Sequence, residues 1–507
     1  MKNIEKELAL KIFQFILSIS ILVTLHEIGH FLPAKWFKTK VDKFFLFFDP
    51  YFSIFAMKKI NGKWQYKFFS KNQPTEEELE INGKKVTQPI DTSALPEDDW
   101  RRHEGVKYGI GWLPMGGYVK IAGMVDESMD TEQLKKPAQP WEFRAKPAWQ
   151  RLIIMLGGVT VNFFLAWLIY SCLSFFTGEK FHDNSKFENG IAVSDAGQKM
   201  GLKTGDKILK IDGKPAERME TSSINMLFAD NVTVLRDGKE VTFPINEDGV
   251  AEVLHANEAK LYFMNRFPAV VDSVIPNKPA MKAGLQKGDE IVGVNGKPTV
   301  YFDQLAEELK INKGKTIELD VLRNKQPLKL TANVGDDAKL GFTFDPKIAQ
   351  KYLDKSQVTK EYSFLEAVPR GFTRTIDVLT MQIKQFKIIF NTKTQGYKKV
   401  GGPIAIVNNM HVEKGNDGRL SIDWEFFWGF TAMFSVWLAF LNLIPIPGLD
   451  GGHVLFTLWE IITGKPVPQK VLENAQMIGV IFLLGLMVLI FGNDIVKVIS
   501  QFLTQKN

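Results

Sequence analysis

Apolar residues gather in blocks along this chain. Four of them, at 12–32, 152–176, 426–446 and 477–491 with its flanks, approach the roughly 20 residues needed to cross the hydrocarbon core of a bilayer. They predict four transmembrane helices within segments 1–35, 151–177, 424–453 and 472–495. The first block lacks a small-residue cleavage site and instead carries His26, Glu27 and His30, so it is expected to remain in the protein rather than be removed as a secretory signal.

The pattern changes between the second and third blocks, where the chain repeats itself. Gly201-Leu202-Lys203-Thr204-Gly205-Asp206-Lys207-Ile208 recurs as Gly284-Leu285-Gln286-Lys287-Gly288-Asp289-Glu290-Ile291, and Asp212-Gly213-Lys214-Pro215 as Asn295-Gly296-Lys297-Pro298, at one offset of 83 residues. Each copy reads as a short helix closed by glycine, a Gly-Asp turn, an alternating strand (Ile208 and Ile211; Ile291 and Val294) and an Asp-Gly or Asn-Gly hairpin turn. That unit resembles a PDZ domain, so two are expected, at 185–262 and 263–335. PDZ modules bind peptides by adding a strand to a sheet edge, which suits substrate filtering or tail binding; a spacer role is the alternative.

Two further regions carry weaker signals. The glycines and β-formers of Gly109-Ile110-Gly111-Trp112-Leu113-Pro114-Met115-Gly116-Gly117-Tyr118-Val119-Lys120-Ile121 suit a hairpin, at 109–124 within an inter-span region 36–150. Within 360–410, apolar residues at mixed helical spacing accompany Arg370, Arg374, Lys384 and Lys387, which fits a helix on the membrane surface or one packed on protein. The fold class expected is a multi-pass α-helical membrane protein with four transmembrane helices, a membrane-associated β-hairpin and sheet, and two inserted α+β PDZ domains.

Composition adjusts this picture in three ways. Across 507 residues, a hydrophobic content of 45% and a mean hydropathy of −0.07 look soluble, an average that conceals the blocks. The net charge of +6 is small and the lysines are scattered, which argues against nucleic-acid binding. Lys35, Lys38, Lys40 and Lys43 follow the first span and Arg144, Lys146 and Arg151 precede the second, favouring a cytoplasmic segment between them and PDZ domains on the periplasmic side, although Lys2, Lys6 and Lys11 count against it. The single cysteine, Cys172, lies inside the second span, so a metal site must use histidines and carboxylates.

Such a set is present. His26-Glu27-Ile28-Gly29-His30 is an H-E-x-x-H motif, whose i, i+4 spacing puts both imidazoles on one helix face as zinc ligands. Glu27 is then placed as general base for a water activated by the metal. Ionisable residues inside an apolar span are costly and generally mark function. A catalytic zinc takes a third protein ligand, and Asp450 stands among prolines and glycines at the end of the third span, where broken helices line cavities or are buried in protein. Asp450 is the expected third ligand; His453 is the alternative.

The H-E-x-x-H motif, the N-x-x-P-x-P-x-x-D-G-G-H stretch from Asn442 to His453 and the PDZ-like repeats between them together resemble the site-2 protease family, of the bacterial regulator of sigma-E protease type. The resemblance implies zinc held by His26, His30 and Asp450, Glu27 as catalytic base, and Asn442 in contact with substrate. It also implies a hairpin dipping into the membrane, here Gly116, Gly117, Tyr118, Val119 and Lys120, that holds substrate as an extended strand. The expected substrates are single-span membrane proteins, either anti-sigma factors trimmed beforehand by a site-1-type protease or leftover signal peptides, and the expected location is the bacterial inner membrane. The stretch 57–102 departs from the family as an insertion with two or more added strands, and Gly401-Gly402-Pro403 resembles a family segment of no assigned chemistry. A PDZ membrane scaffold and a metal transporter are the competing readings; a scaffold leaves Glu27 and Asp450 as costly accidents.

Overall fold

The computed structural model describes residues 2–73, 76–81, 84–90, 92–124, 137–255, 262–390, 401–415 and 418–505. The chain forms two compact units. One comprises Met1–Thr177, Tyr362–Gln382 and Val400–Asn507, the other Gly178–Glu361 with Ile383–Lys399.

Among the described residues of the first unit, four helices are long and apolar enough to cross a membrane, over Glu5–Trp36, Ala148–Phe176, Trp424–Leu443 and Gln469–Val496. Helix α1 (Lys2–Trp36) packs on α2 (Ala148–Phe176) through glycine. A Cβ added at Gly157 would collide with the Gly29 carbonyl, and one at Gly29 with the Gly157 carbonyl. Apolar solvent supplies no hydrophobic force between helices, so close backbone approach through small residues is what holds such a pair.

Helix α3 (Phe364–Phe390) lies along α2 in its first part: the Trp167 indole donates to the Val368 carbonyl at 2.8 Å, and Phe372 meets Trp167 edge-on at 5.4 Å. This part of the helix packs on protein. Residues 391–400 of the expected 360–410 region lie outside the described residues. A short helix, Pro403–Asn408, follows; its first amides, from Gly402, Ile404 and Ala405, donate to the buried Asp494 carboxylate at 2.9, 3.1 and 3.3 Å. A Cβ at Gly402 would stand 2.7 Å from that carboxylate, which gives the Gly-Gly-Pro segment a structural purpose.

Helix α4 (Trp424–Leu443) is capped by Asp423, whose carboxylate accepts from the Phe426 amide at 2.9 Å. It ends because Pro445 forces the residue before it out of the helical region: Ile444 is extended, with φ −61° and ψ 134°. After a turn through Gly448 (φ 100°), helix α5 (Asp450–Thr463) begins at Asp450 itself, and α6 (Gln469–Gln505) completes the unit.

Strands β1 (Val41–Ile60), β2 (Lys63–Lys71) and β5 (Lys107–Ile121) form one sheet; β3 (Glu76–Ile81) and β4 (Lys84–Pro89) pair with each other. The segment 57–102 thus holds β2, β3 and β4. The expected hairpin at 109–124 has an unexpected form, because the two arms of β5 do not pair with one another. The first stretch of β1 lies between them, with Phe44 opposite Tyr108 on one side and Val119 on the other. Both long strands fold back: β1 at Tyr51 (φ 70°), β5 at Gly116 (φ 126°). Glycine at 109 and 111 is what allows it, since a Cβ at Gly111 would collide with the Phe48 carbonyl and one at Gly109 would stand 2.5 Å from the Phe45 ring.

The second unit contains two sheet-and-helix lobes built alike. In the first, strands run in the order Lys239–Pro244, Asn231–Arg236, Lys207–Ile211, Lys214–Pro215; in the second, Gln326–Asn333, Thr316–Arg323 and Glu290–Val294 follow the same order, continued by Ala269–Val274 and Phe342–Phe344. Each has its own core, around Met200, Met226 and Val234 in one and Ile291, Leu305 and Leu319 in the other. In each, the repeated aspartate is buried and paired: Asp206 with Arg236 at 2.7 Å, Asp289 with Arg323 at 2.8 Å.

Candidate metal centre

Three ligand atoms converge at the end of α1 and the start of α5. His26 and His30 are one helical turn apart, and their Nε2 atoms stand 3.2 Å from each other. Asp450 Oδ2 lies 3.2 Å from both. Ligands at about 2.0–2.1 Å around a tetrahedral zinc stand about 3.3 Å apart, so the triangle has the size the ion requires. It also has the chemistry: two nitrogens and a carboxylate oxygen, leaving one position open, is a catalytic zinc set. His26 and His30 are buried, at 6% and 7% exposure, and among the described residues these three form the one group of its kind.

Helix α2 supplies the groups that hold the two candidate ligand histidines, and the sequence reading missed it. The His30 Nδ1–H donates to the Ile154 carbonyl at 2.8 Å, which fixes the tautomer and leaves Nε2 with its lone pair toward the site. His26 Nδ1 faces the side-chain amide of Asn162 at 3.1 Å, and Asn162 is fully buried. Its Oδ1 makes no hydrogen bond while Nδ2 is directed at the ring. The two orientations of an amide differ only in which atom is O and which N. With Oδ1 toward the ring it accepts from Nδ1–H and leaves the second Nε2 free to bind metal. Between them, Gly158 makes room: a Cβ there would stand 2.5 Å from His30 Nε2. Positions 154, 158 and 162 fall on one helical stripe, and a lone Asn inside an apolar span was the signal available for it.

A cavity of about 500 Å³ opens beside the triangle, lined by Glu27, Asn442, His453 and residues 117–121 of β5. Asn442 is half-buried, its amide 3.2 Å from His26 Nε2. His453 faces the same space but lies outside the ligand group. Of the five hairpin residues singled out by the sequence, Gly117, Tyr118, Val119 and Lys120 line the cavity, whereas Gly116 sits in the turn and does not. Gly117 brings the strand against α1, where a Cβ would stand 2.9 Å from Val23 Cγ1. Tyr118 is held by its hydroxyl, which donates to Asp49 at 2.7 Å, and by stacking on Phe45 and Phe48. On the same sheet, burial, with Lys43 adding to the effect, pushes the Lys107 ammonium down to about 8.

Comparison with known proteins agrees with this geometry. The family model "Peptidase family M50" matches residues 14–70 and 99–486; the break between the two stretches falls inside the expected insertion. The "Regulator of sigma-E protease RseP" of Escherichia coli K12 is 27% identical over 502 residues, covering 95% of this chain and 97% of that one. The "Regulator of sigma E protease" of Haemophilus influenzae is 27% identical over 95% and 98%, and a "Putative zinc metalloprotease" of Vibrio cholerae 25% identical over the same shares. With the match running through H-E-x-x-H, the broken helix at Asp450 and nearly everything between, this chain belongs to peptidase family M50 and is a metalloendopeptidase.

Proposed function

We propose that the protein is a zinc-dependent intramembrane endopeptidase that hydrolyses peptide bonds in the transmembrane segments of single-span membrane proteins. The observation that carries this reading is the His26–His30–Asp450 triangle, with Glu27 beside it, at the meeting of helices apolar enough to lie in lipid. Zinc bound there supplies Lewis acidity, polarising a carbonyl oxygen and making water acidic near neutral pH.

The residues do the rest. His26 and His30 present Nε2 lone pairs, and the Asp450 carboxylate offsets the charge of the ion. The Glu27 carboxylate takes a proton from the attacking water as its oxygen bonds to the scissile carbon, then returns it to the amide nitrogen as the C–N bond breaks. The Asn442 amide donates to the carbonyl oxygen as it gains charge. A transmembrane helix shields its own peptide bonds, so residues 117–121 of β5, on the cavity wall, hold the substrate as an added strand.

The two lobes of the second unit are read as PDZ domains that select substrates, on the periplasmic side of the bacterial inner membrane. The names of the Escherichia coli and Haemophilus influenzae relatives tie those proteins to sigma-E regulation; the substrates proposed here are anti-sigma factors trimmed first by another protease, with leftover signal peptides as the second class.

Metal analysis of purified variants tests the ligand set. Asp450→Ala is expected to lose zinc and cleavage together, and His453→Ala to keep its zinc. The reverse pattern would move the third ligand to His453. Removing zinc from the wild type with a chelator should stop cleavage of a single-span substrate in proteoliposomes, and added zinc should restore it.

A further inference from the structure

The register of the sheet lines up a row of like charges. Lys58 stands opposite Lys107, Lys107 opposite Lys43, and Lys43 opposite Lys120, so four lysines follow one another across neighbouring stretches of β1 and β5 on one face. The Lys107 and Lys43 ammoniums both lie over the buried Phe45 ring, at 5.5 and 5.8 Å. Like charges placed directly opposite each other on adjacent strands destabilise a sheet. The cost shows at Lys107, whose ammonium is held below the usual lysine range by burial first and by Lys43 next.

Neighbouring groups offset this only in part. Lys58 donates to the Trp100 and His103 carbonyls at 2.9 and 2.6 Å, and Lys43 to the Tyr118 hydroxyl at 3.4 Å. Among the described residues no carboxylate forms an ion pair with Lys43, Lys58 or Lys107: Asp42 pairs with Lys40 at 3.5 Å, and Asp49 accepts from Tyr118 and Ser53. The row ends at the metal site, where Lys43 and Lys120 line the cavity. Lys120 lies on the outer arm of β5, whose far side pairs with no described strand.

We infer that the substrate residue directly opposite Lys120 is selected by charge, an acidic side chain being favoured there and a lysine or arginine disfavoured. The inference rests on the reading that residues 117–121 hold the substrate as an added strand. Such a strand places one side chain directly opposite Lys120 and on the same face, as the fifth member of the row. Aspartate or glutamate ends the run of like charges with an opposite one; a basic residue prolongs it. Val119 and Ile121 turn the other way, into the apolar core, and Lys120 is the charged residue of this stretch.

Two steps keep the inference and its premise apart. The full chain carrying Glu27→Gln, Cys172→Ser and Lys120→Cys is reconstituted in proteoliposomes with a pre-trimmed single-span substrate that has one cysteine, moved through successive positions, and disulfides are formed by oxidation. An added strand predicts cross-links at alternate substrate positions, strongest at the one opposite residue 120. A helical period, or no cross-link at any position, sinks the added-strand reading and the charge inference with it.

Cleavage by the wild type then tests the charge. With Asp against Lys at the position so identified, kcat/KM is expected to differ by about 2- to 30-fold in favour of Asp, and the same exchange one residue along, on the other face, should matter less. Zinc-loaded Lys120→Glu should reverse the order at that position, and Lys120→Gln should level it. Equal cleavage of the Asp and Lys substrates by the wild type, an equal effect one residue along, or an unreversed order in Lys120→Glu would each overturn the inference, while alternate cross-links leave the added strand standing. If Lys120→Glu loses its zinc, Lys120→Gln decides, and a preference as large as that of the wild type counts against Lys120.

Discussion

Asn162 illustrates how much a site can depend on a residue that binds neither metal nor substrate. Its amide faces His26 Nδ1 from α2, where the Gly158 backbone also bonds the His26 ring, and outer partners of this kind are worth about 10- to 100-fold in metal affinity. Asn162→Leu is therefore expected to weaken zinc binding by about that factor, measured by competition with a chromophoric chelator. Asn162→Asp, which still accepts from Nδ1–H, should retain most of it. Equal affinities in both variants would reduce Asn162 to a packing role. The sequence pointed to His26, Glu27, His30 and Asp450 as candidates because their signals are local: a fixed i, i+4 spacing, and an acid among prolines in an apolar stretch. Asn162 escaped because its partner is 136 residues away, and the Ile154 carbonyl that orients His30 belongs to the backbone, which no residue type announces.

Elements divide the same way. The two lobes were legible in outline, since Asp206 and Asp289, Gly213 and Gly296 repeat at a constant offset. Their arginines were not: Arg236 and Arg323 pair with those aspartates but stand 87 residues apart (323 less 236), four more than the motif's spacing. The pairing of β5 around β1 was equally hidden, because a strand that bends at Gly116 and a simple hairpin have the same alternation and turn residues. Glycine matters most where α1 meets α2. Gly157→Ala is expected to destabilise the protein by about 1–3 kcal/mol through overpacking against Gly29, seen as a lower midpoint of thermal unfolding in detergent. Gly485→Ala on α6, where an added Cβ meets nothing within 4 Å, is the control and should not lower it. Equal midpoints would mean that the α1–α2 contact is looser than described.

For the whole molecule, the question is what the second unit does for the first. All the proposed catalytic residues lie in the first unit, so removing 190–334 and closing the gap with a flexible linker should leave the chemistry intact. If the lobes act as a filter, the wild type cuts only a pre-trimmed single-span substrate and the deleted protein cuts both that and the full-length form. A deleted protein that is folded and zinc-loaded yet still rejects the full-length form would favour recruitment or spacing instead.

The most direct measurement concerns Glu27. Purified Glu27→Gln, reconstituted in proteoliposomes with a pre-trimmed single-span substrate, is assayed for zinc by mass spectrometry and for cleavage by mapping the product ends. The amide cannot take a proton from water, while His26, His30 and Asp450 are untouched. The account predicts full zinc occupancy with cleavage lost, against wild-type cuts that fall within the substrate's apolar segment. Substantial turnover by the zinc-loaded variant, or wild-type cuts only outside that segment, would contradict it.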